Sequence, residues 1–314
     1  MEITPASVSN EKLFELNVAA LATTEKPVVS LFDDDFINRV LENYTLSATG
    51  LNSYLDCPLS FYYDYILRVP SAKSDSMAFG TAVHYTLNRL FTNMRKAPDQ
   101  KFPPVDEFLR DFKFEMYRNK DSFTDKQFEL RMALGEKLLP EFYNKYHYKW
   151  NKIVVTEYFV KNVEVHGIPI NGKLDKIEFN GTDVNVVDYK TSNPKYAKNE
   201  MQPPGDKSPN GGNYWRQIIF YKILLDNNRL QKWNMVSGQI DFIDKDEKTN
   251  DFPQWKVAIE KEHIDIVIAQ IRDTYDKIMK HQFNTGCGKP DCYWCNFVKE
   301  NNLALNSPLL LDAK

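Results

Sequence analysis

At Ile153 the spacing of the apolar residues changes, and this change constrains the fold more than any other feature of the chain. Before it, Val83, Leu87, Leu90 and Phe91 recur at helical intervals, and residues 104–148 are rich in helix formers with one expected break around Ser122. After it, residues 153–160, 168–179 and 184–190 carry β-branched and aromatic side chains at a period of two, with Asn180-Gly181 as a hairpin turn. A loop over 200–213 leads to a helix at 214–225, strands near 235–244 and 253–259, a helix over about 261–281 and a cysteine-bearing tail. This order predicts an α/β core with a mixed central sheet flanked by helices.

Upstream, Ser and Thr cap candidates open residues 46–67, which fit two short helices broken near Pro58. The helix that holds His84 is expected to begin after Gly80 and run to about Asn93. Residues 1–45, with acids at Asp33, Asp34 and Asp35, read as a lead-in or linker that is partly ordered at best. One domain over 46–300, followed by a tail at 301–314, is large enough to bury a core from a chain that is 42% hydrophobic.

A net charge of -3 and a pI near 6.0 give no overall basic field, so contact with nucleic acid must come from a local groove. The sequence has no apolar run of membrane length and no basic-then-apolar start, so a cytoplasmic protein is expected. There is no Gly-x-x-x-x-Gly-Lys-Ser/Thr loop to cradle nucleotide phosphates.

Chemistry concentrates on two strands. In Val184-Asn-Val-Val-Asp188-Tyr-Lys190, alternation places Val184, Val186, Asp188 and Lys190 on one face, so that two charges end a core face. Asp175, on the strand before, shares a face with Ile177 and Phe179 and comes near Asp188 across the hairpin if the register is favourable. Paired carboxylates repel unless a cation lies between them, and hard oxygen donors suit Mg²⁺ or Mn²⁺. Lys190 is then placed to orient a water or to stabilise charge on a phosphate. Read alone, Asp-x-Lys fits a surface ion pair better.

Taken together, Gly172-Lys-Leu-Asp175-Lys-Ile-Glu178 and Val186-Val-Asp188-Tyr-Lys190-Thr resemble the Asp…Asp-x-Lys core of PD-(D/E)XK nucleases. Three further segments resemble the branch that includes the RecB and AddB nuclease domains: Phe79-Gly-Thr-Ala-Val-His84, the Gln217…Tyr221 pair and Leu46 to Phe61 with Cys57. The likeness spans residues 45–300 and departs in lacking a proline before Asp175. It implies metal ligation by His84, Asp175 and Asp188 with the Tyr189 carbonyl, catalysis with Lys190, and positioning by Gln217 and Tyr221. Glu157 stands where related nucleases often carry an acid on the first core strand, and it is a secondary candidate.

Cys287, Cys292 and Cys295 lie within nine residues, and Cys57 lies far upstream. Thiolates grouped this way bind an iron–sulfur cluster or zinc. The resemblance implies a 4Fe-4S cluster stapling the chain ends, while the Cys-x₄-Cys-x₂-Cys spacing departs from the family's Cys-x₂-Cys-x₅-Cys and keeps Zn²⁺ as an alternative. It also implies a Mg²⁺-dependent deoxyribonuclease of DNA repair or recombination, exonuclease-like, acting on single-stranded or free-ended DNA. A helicase subunit or domain is the partner it implies. The alternative is a catalytically silent DNA-binding or helicase-partner module with the same fold.

Overall fold

The computed structural model describes residues 26–71, 73–206 and 208–306. Residues 1–25 of the expected lead-in and 307–314 of the expected tail lie outside the described residues. Five strands, β1 (Val154–Val165), β2 (Ile168–Asn180), β3 (Asp183–Lys190), β4 (Asn234–Phe242) and β5 (Gln254–Val257), form one sheet in sequence order. β1, β2 and β3 are antiparallel, β3 and β4 parallel, and β4 and β5 antiparallel, so the sheet is mixed as expected. A parallel neighbour cannot be reached by a tight turn. The crossover from β3 to β4 accordingly contains a long loop and the helix Asn213–Asp226.

Strand alternation splits β3 between two cores. Val184 and Val186 pack with α1 (Asp34–Leu41), α2 (Ala48–Asp56), α3 (Pro58–Phe61), α7 (Asn213–Asp226), α8 (Lys261–Met279) and α9 (Tyr293–Glu300). Val187 and Tyr189 pack on the other face with α4 (Asp75–Lys96), α5 (Val105–Arg118) and α6 (Asp125–Tyr146). The expected stripe of Val83, Leu87, Leu90 and Phe91 is fully buried in this second core.

Several boundaries differ from expectation. α4 begins at Asp75, not after Gly80, because the Ser74 hydroxyl accepts the Met77 N–H and caps the helix earlier. The acids at 33–35 are the cap and first turn of α1: Asp33 Oδ1 accepts the Phe36 N–H, and Asp34 and Asp35 sit where the helix dipole favours negative charge. β1 runs on to Val165 and turns at His166-Gly167, both with positive φ. The break near Pro58 is present: Cys57 is extended at φ -162°, and Pro58 opens α3, which continues as a π-helical turn over Tyr62–Ile66.

Candidate active site

The site lies at the end of β3, where the β2 ladder stops. The β2–β3 pairing runs from Asn180/Asp183 to Lys176/Val187 and goes no further, and Asp175 replaces a backbone partner by accepting the Tyr189 N–H on Oδ2 at 2.9 Å. On its other side, β1 pairs Thr156 with Lys176 and Tyr158 with Leu174, leaving Glu157 opposite Asp175 and out of register. Glu157 has φ +52°, a left-handed conformation that a glutamate in a strand rarely takes.

This local distortion gathers one group of ligands. One donor atom each from His84, Glu157 and Asp175 lies within 4.8 Å of the others, and His84 Nδ1 is 3.3 Å from Asp175 Oδ1. Burial disfavours a charged His84, but the Asp175 carboxylate outweighs it and raises the imidazole above its ordinary range. Burial likewise works against the Asp175 charge, and His84 with the Tyr189 N–H overcomes it and lowers that carboxyl. The group therefore favours one cation, a proton or a metal. Lys173 pairs with Glu157 at its edge.

Asp188 is held in a second, adjoining network. Lys190 Nζ lies 2.7 Å from Asp188 Oδ2 and donates to Gln217 Oε1 at 2.9 Å. Gln217 Nε2 donates to Asp188 Oδ1 at 2.9 Å and to the Tyr221 hydroxyl at 2.7 Å. The Tyr221 hydroxyl faces the Lys173 carbonyl at 3.1 Å and Asp188 Oδ1 at 3.4 Å. Helical spacing on α7 puts Gln217 and Tyr221 on one face, one turn apart. Burial pulls Lys190 down, yet Asp188 dominates and keeps the ammonium above its usual range; burial pushes the Asp188 carboxyl up.

Of the residues singled out from the sequence, His84 and Asp175 thus fall in one group, and Asp188, Lys190, Gln217 and Tyr221 in the next. Asp188 is not within the 4.8 Å group, where Glu157 stands. A divalent cation fits the donor set on two observations. Asp188 Oδ2 is fully buried and, although close to Lys190, receives no well-directed hydrogen bond. Two hard carboxylate oxygens and one imidazole nitrogen within 4.8 Å of one another make a donor set of the size a divalent ion takes. Tyr189 faces the other way, its ring buried over Lys176, with its N–H given to Asp175.

His84, Glu157, Asp175 and Lys190 line a cleft of about 1050 Å³ between the sheet end and α4, with Asp188, Gln217 and Tyr221 behind Lys190. Its charged lining is mixed, Lys73, Arg131, Lys173 and Lys190 beside Glu115, Glu157 and Asp175, and Glu115 and Arg131 come from the helical region in which the sequence showed no chemistry. Arg131, Lys173 and Lys190 are paired with Asp75, Glu157 and Asp188.

At the opposite end of α2 the four cysteines meet, all unpaired, with one sulfur from each within 4.8 Å of the rest. Cys57 and Cys295 sulfurs are 3.7 Å apart and Cys287 and Cys295 3.8 Å. Cys57 Sγ accepts the Cys287 N–H at 3.3 Å, and the Ser60 hydroxyl lies 3.6 Å from Cys292 Sγ. The Cys295 thiol beside Cys57 draws the Cys57 thiol down to about 4, and burial pushes Cys287 up to about 11. Ionising all four thiols at this spacing would require a cation among them.

No curated protein matches the chain. Among solved structures, "Crystal structure of SSO0001" is similar at 13% identity over 81% of this chain and 88% of that one, with a TM-score of 0.29, too distant to carry any argument. No helix among the described residues is long and apolar enough to cross a membrane. The family model described as PD-(D/E)XK nuclease superfamily matches residues 45–299, which include both carboxylates, Lys190, His84 and all four cysteines. On that match and the mixed five-stranded core, the chain belongs to the PD-(D/E)XK nuclease superfamily.

Proposed function

We propose that the chain is a Mg²⁺- or Mn²⁺-dependent deoxyribonuclease that hydrolyses phosphodiester bonds in the cleft between α4 and the end of β3. The observation that carries this reading is the meeting of two networks at one cleft: His84, Glu157 and Asp175 on one side, and Lys190 held by Asp188 and Gln217 on the other. A bound divalent cation would polarise the phosphate and lower the pKa of a water. His84, Asp175 and Glu157 would hold it, with Asp188 and the Tyr189 carbonyl completing the set.

Lys190 stays an ammonium because Asp188 lies beside it, so its role is to aim a water and offset charge on the phosphate, not to take a proton. Gln217 fixes both members of that pair through opposite ends of one amide, and Tyr221 fixes Gln217. The substrate we propose is single-stranded or free-ended DNA, cut in an exonuclease-like way during repair or recombination and presented by a helicase subunit or domain. This assignment rests on the resemblance to RecB and AddB nuclease domains; placement in the cytoplasm rests instead on the lack of a membrane-length apolar run and of a basic-then-apolar start, and four unpaired thiols suit a reducing compartment.

The test is cleavage of end-labelled single- and double-stranded DNA, with an RNA control, in Mg²⁺ and Mn²⁺. Lys190→Ala and Asp188→Ala should each lose about 10³-fold in rate while keeping the wild-type fold. Binding without cutting by every form, the wild type included, would overturn the reading in favour of a silent DNA-binding module.

A further inference from the structure

The distances among the four cysteine sulfurs discriminate between the metal groups that thiolates hold. Around one tetrahedral ion, thiolates bonded at about 2.3 Å stand about 3.8 Å from one another. Around a cube of four irons each thiolate binds its own corner, and the sulfurs stand on the order of 6 Å apart. Here Cys57 and Cys295 are 3.7 Å apart, Cys287 and Cys295 3.8 Å, and the whole set lies within 4.8 Å. The 4.8 Å bound falls short of the cluster spacing on every edge.

The surroundings hold the set at this size. A Cβ on Gly286 would lie 2.6 Å from Cys295 Sγ and 2.8 Å from Pro27 Cγ, so the backbone beside Cys287 is already pressed against a sulfur. Spreading the sulfurs would also break the bond from the Cys287 N–H to Cys57 Sγ. Cys57 and Cys295 are buried, and the chain around them is tied down on three sides. Gly286 N–H donates to the Pro27 carbonyl at 2.7 Å, Leu305 N–H to the Val28 carbonyl at 2.7 Å, and Trp294 Nε1 to Asp64 Oδ1 at 2.8 Å.

We infer that Cys57, Cys287, Cys292 and Cys295 hold one zinc ion as a structural knot, and that the four-iron cluster implied by the family resemblance does not fit this chain. Four thiolates in a closed tetrahedron leave no open position for substrate, which makes the site structural. Zinc has no redox chemistry, so the knot is stable to air. The altered order of the tail, Cys-x₄-Cys-x₂-Cys, is the covalent counterpart of this smaller site: Cys292 caps α9 and Cys295 lies within its first turn, while Cys287 approaches from the preceding loop.

The test uses the full chain, purified without oxygen from cells supplied with both iron and zinc. We expect one zinc per chain by elemental analysis, no acid-labile sulfide and a colourless protein. Iron with sulfide in a ratio near four each and a brown colour would overturn the inference, as would a single iron without sulfide, or no metal together with a melting temperature that added zinc leaves unchanged. Stripping the ion with a chelator should lower the melting temperature by roughly 10 °C, restored by zinc and not by iron with sulfide.

Cys57 is buried in the core, where a change tests folding as well as metal binding, so the half-buried Cys292 is the better position to vary. Cys292→His should still bind one zinc, since zinc accepts nitrogen in place of sulfur, whereas loss of all metal on that change would count against a zinc site. Asp175→Asn must leave the zinc count at one, which separates this site from the candidate active site. The nuclease reading stands or falls on the cleavage assay independently of these measurements.

Discussion

A left-handed backbone at a residue other than glycine costs about 1–3 kcal/mol, and Glu157 holds one at φ +52° within β1. What the distortion achieves is chemical: it sets the Glu157 carboxylate beside His84 and Asp175 instead of continuing the ladder. Glu157→Gln should therefore leave folding intact while cutting the DNA cleavage rate about 10²-fold and raising the Mn²⁺ concentration needed for half-maximal rate. Unchanged rate and unchanged metal demand would show that this acid only pairs with Lys173. The other residues of the cleft were legible as motifs because their spacing is short and fixed: Asp188 and Lys190 two apart on a strand, Gln217 and Tyr221 four apart on a helix. Glu157 was only a secondary candidate because alternation identifies a strand and says nothing of where its ladder breaks. The reverse holds for Asp188: pairing suggested a place beside Asp175, but the ladder stops at Lys176/Val187, and Lys190 on the same strand and Gln217 on α7, far off in sequence, hold it instead.

At the scale of elements, α7 does more than carry Gln217. The neighbouring Arg216 is fully buried with no carboxylate among the described residues paired to it, and all five of its N–H donors are matched by neutral acceptors. They are Gln270 Oε1 on α8, the Asn52 and Asn213 side-chain oxygens, and the carbonyls of Asn210 and Gly211. This one guanidinium, one residue before Gln217, fixes the long β3–α7 loop to three helices and so sets the start of α7 at Asn213. Lysine offers three donors on a single atom and cannot reach acceptors spread around a planar fork, so Arg216→Lys should cost about 3 kcal/mol. Urea titration gives the stability, and we expect cleavage to fall with it as Gln217 loses its position; a loss below about 1 kcal/mol would refute the clamp. The sequence showed the helix and the loop, yet nothing in Trp-Arg-Gln marks the arginine as internal, since five separate acceptors from four segments create its site. The α4 start was misread for a simpler reason: Gly80 suggested a boundary, while the true cap, Ser74, lies one and a half turns earlier.

At the scale of the molecule, the sheet divides two cores, and the polar groups trapped between them decide how stability follows pH. Lys176 is fully buried on β2, 2.8 Å from Glu178 and over the rings of Phe91 and Tyr189 at 4.9 and 5.3 Å. Asp241 on β4 is buried near it and accepts from the side-chain amides of Gln239 at 2.7 Å and Gln254 at 3.0 Å. Burial pushes the Asp241 carboxyl up to about 6, against the pull of Lys176 and those amides. In the unfolded chain the same group titrates near about 3.9. Between these values the native state binds the extra proton, so the contribution of Asp241 is complete below about pH 4 and is lost as pH rises through 6. The loss amounts to about 3 kcal/mol for this one group. Asp241→Asn keeps an acceptor for one of the two amides and removes the titration, so the variant should gain on the wild type from about pH 4 to about pH 6 and hold a constant advantage above about pH 7. Denaturant titrations at four pH values across that window measure the difference directly. Parallel curves would mean that Lys176 already holds Asp241 ionised in the native state, with the buried pair balanced by Coulomb attraction instead of by a retained proton.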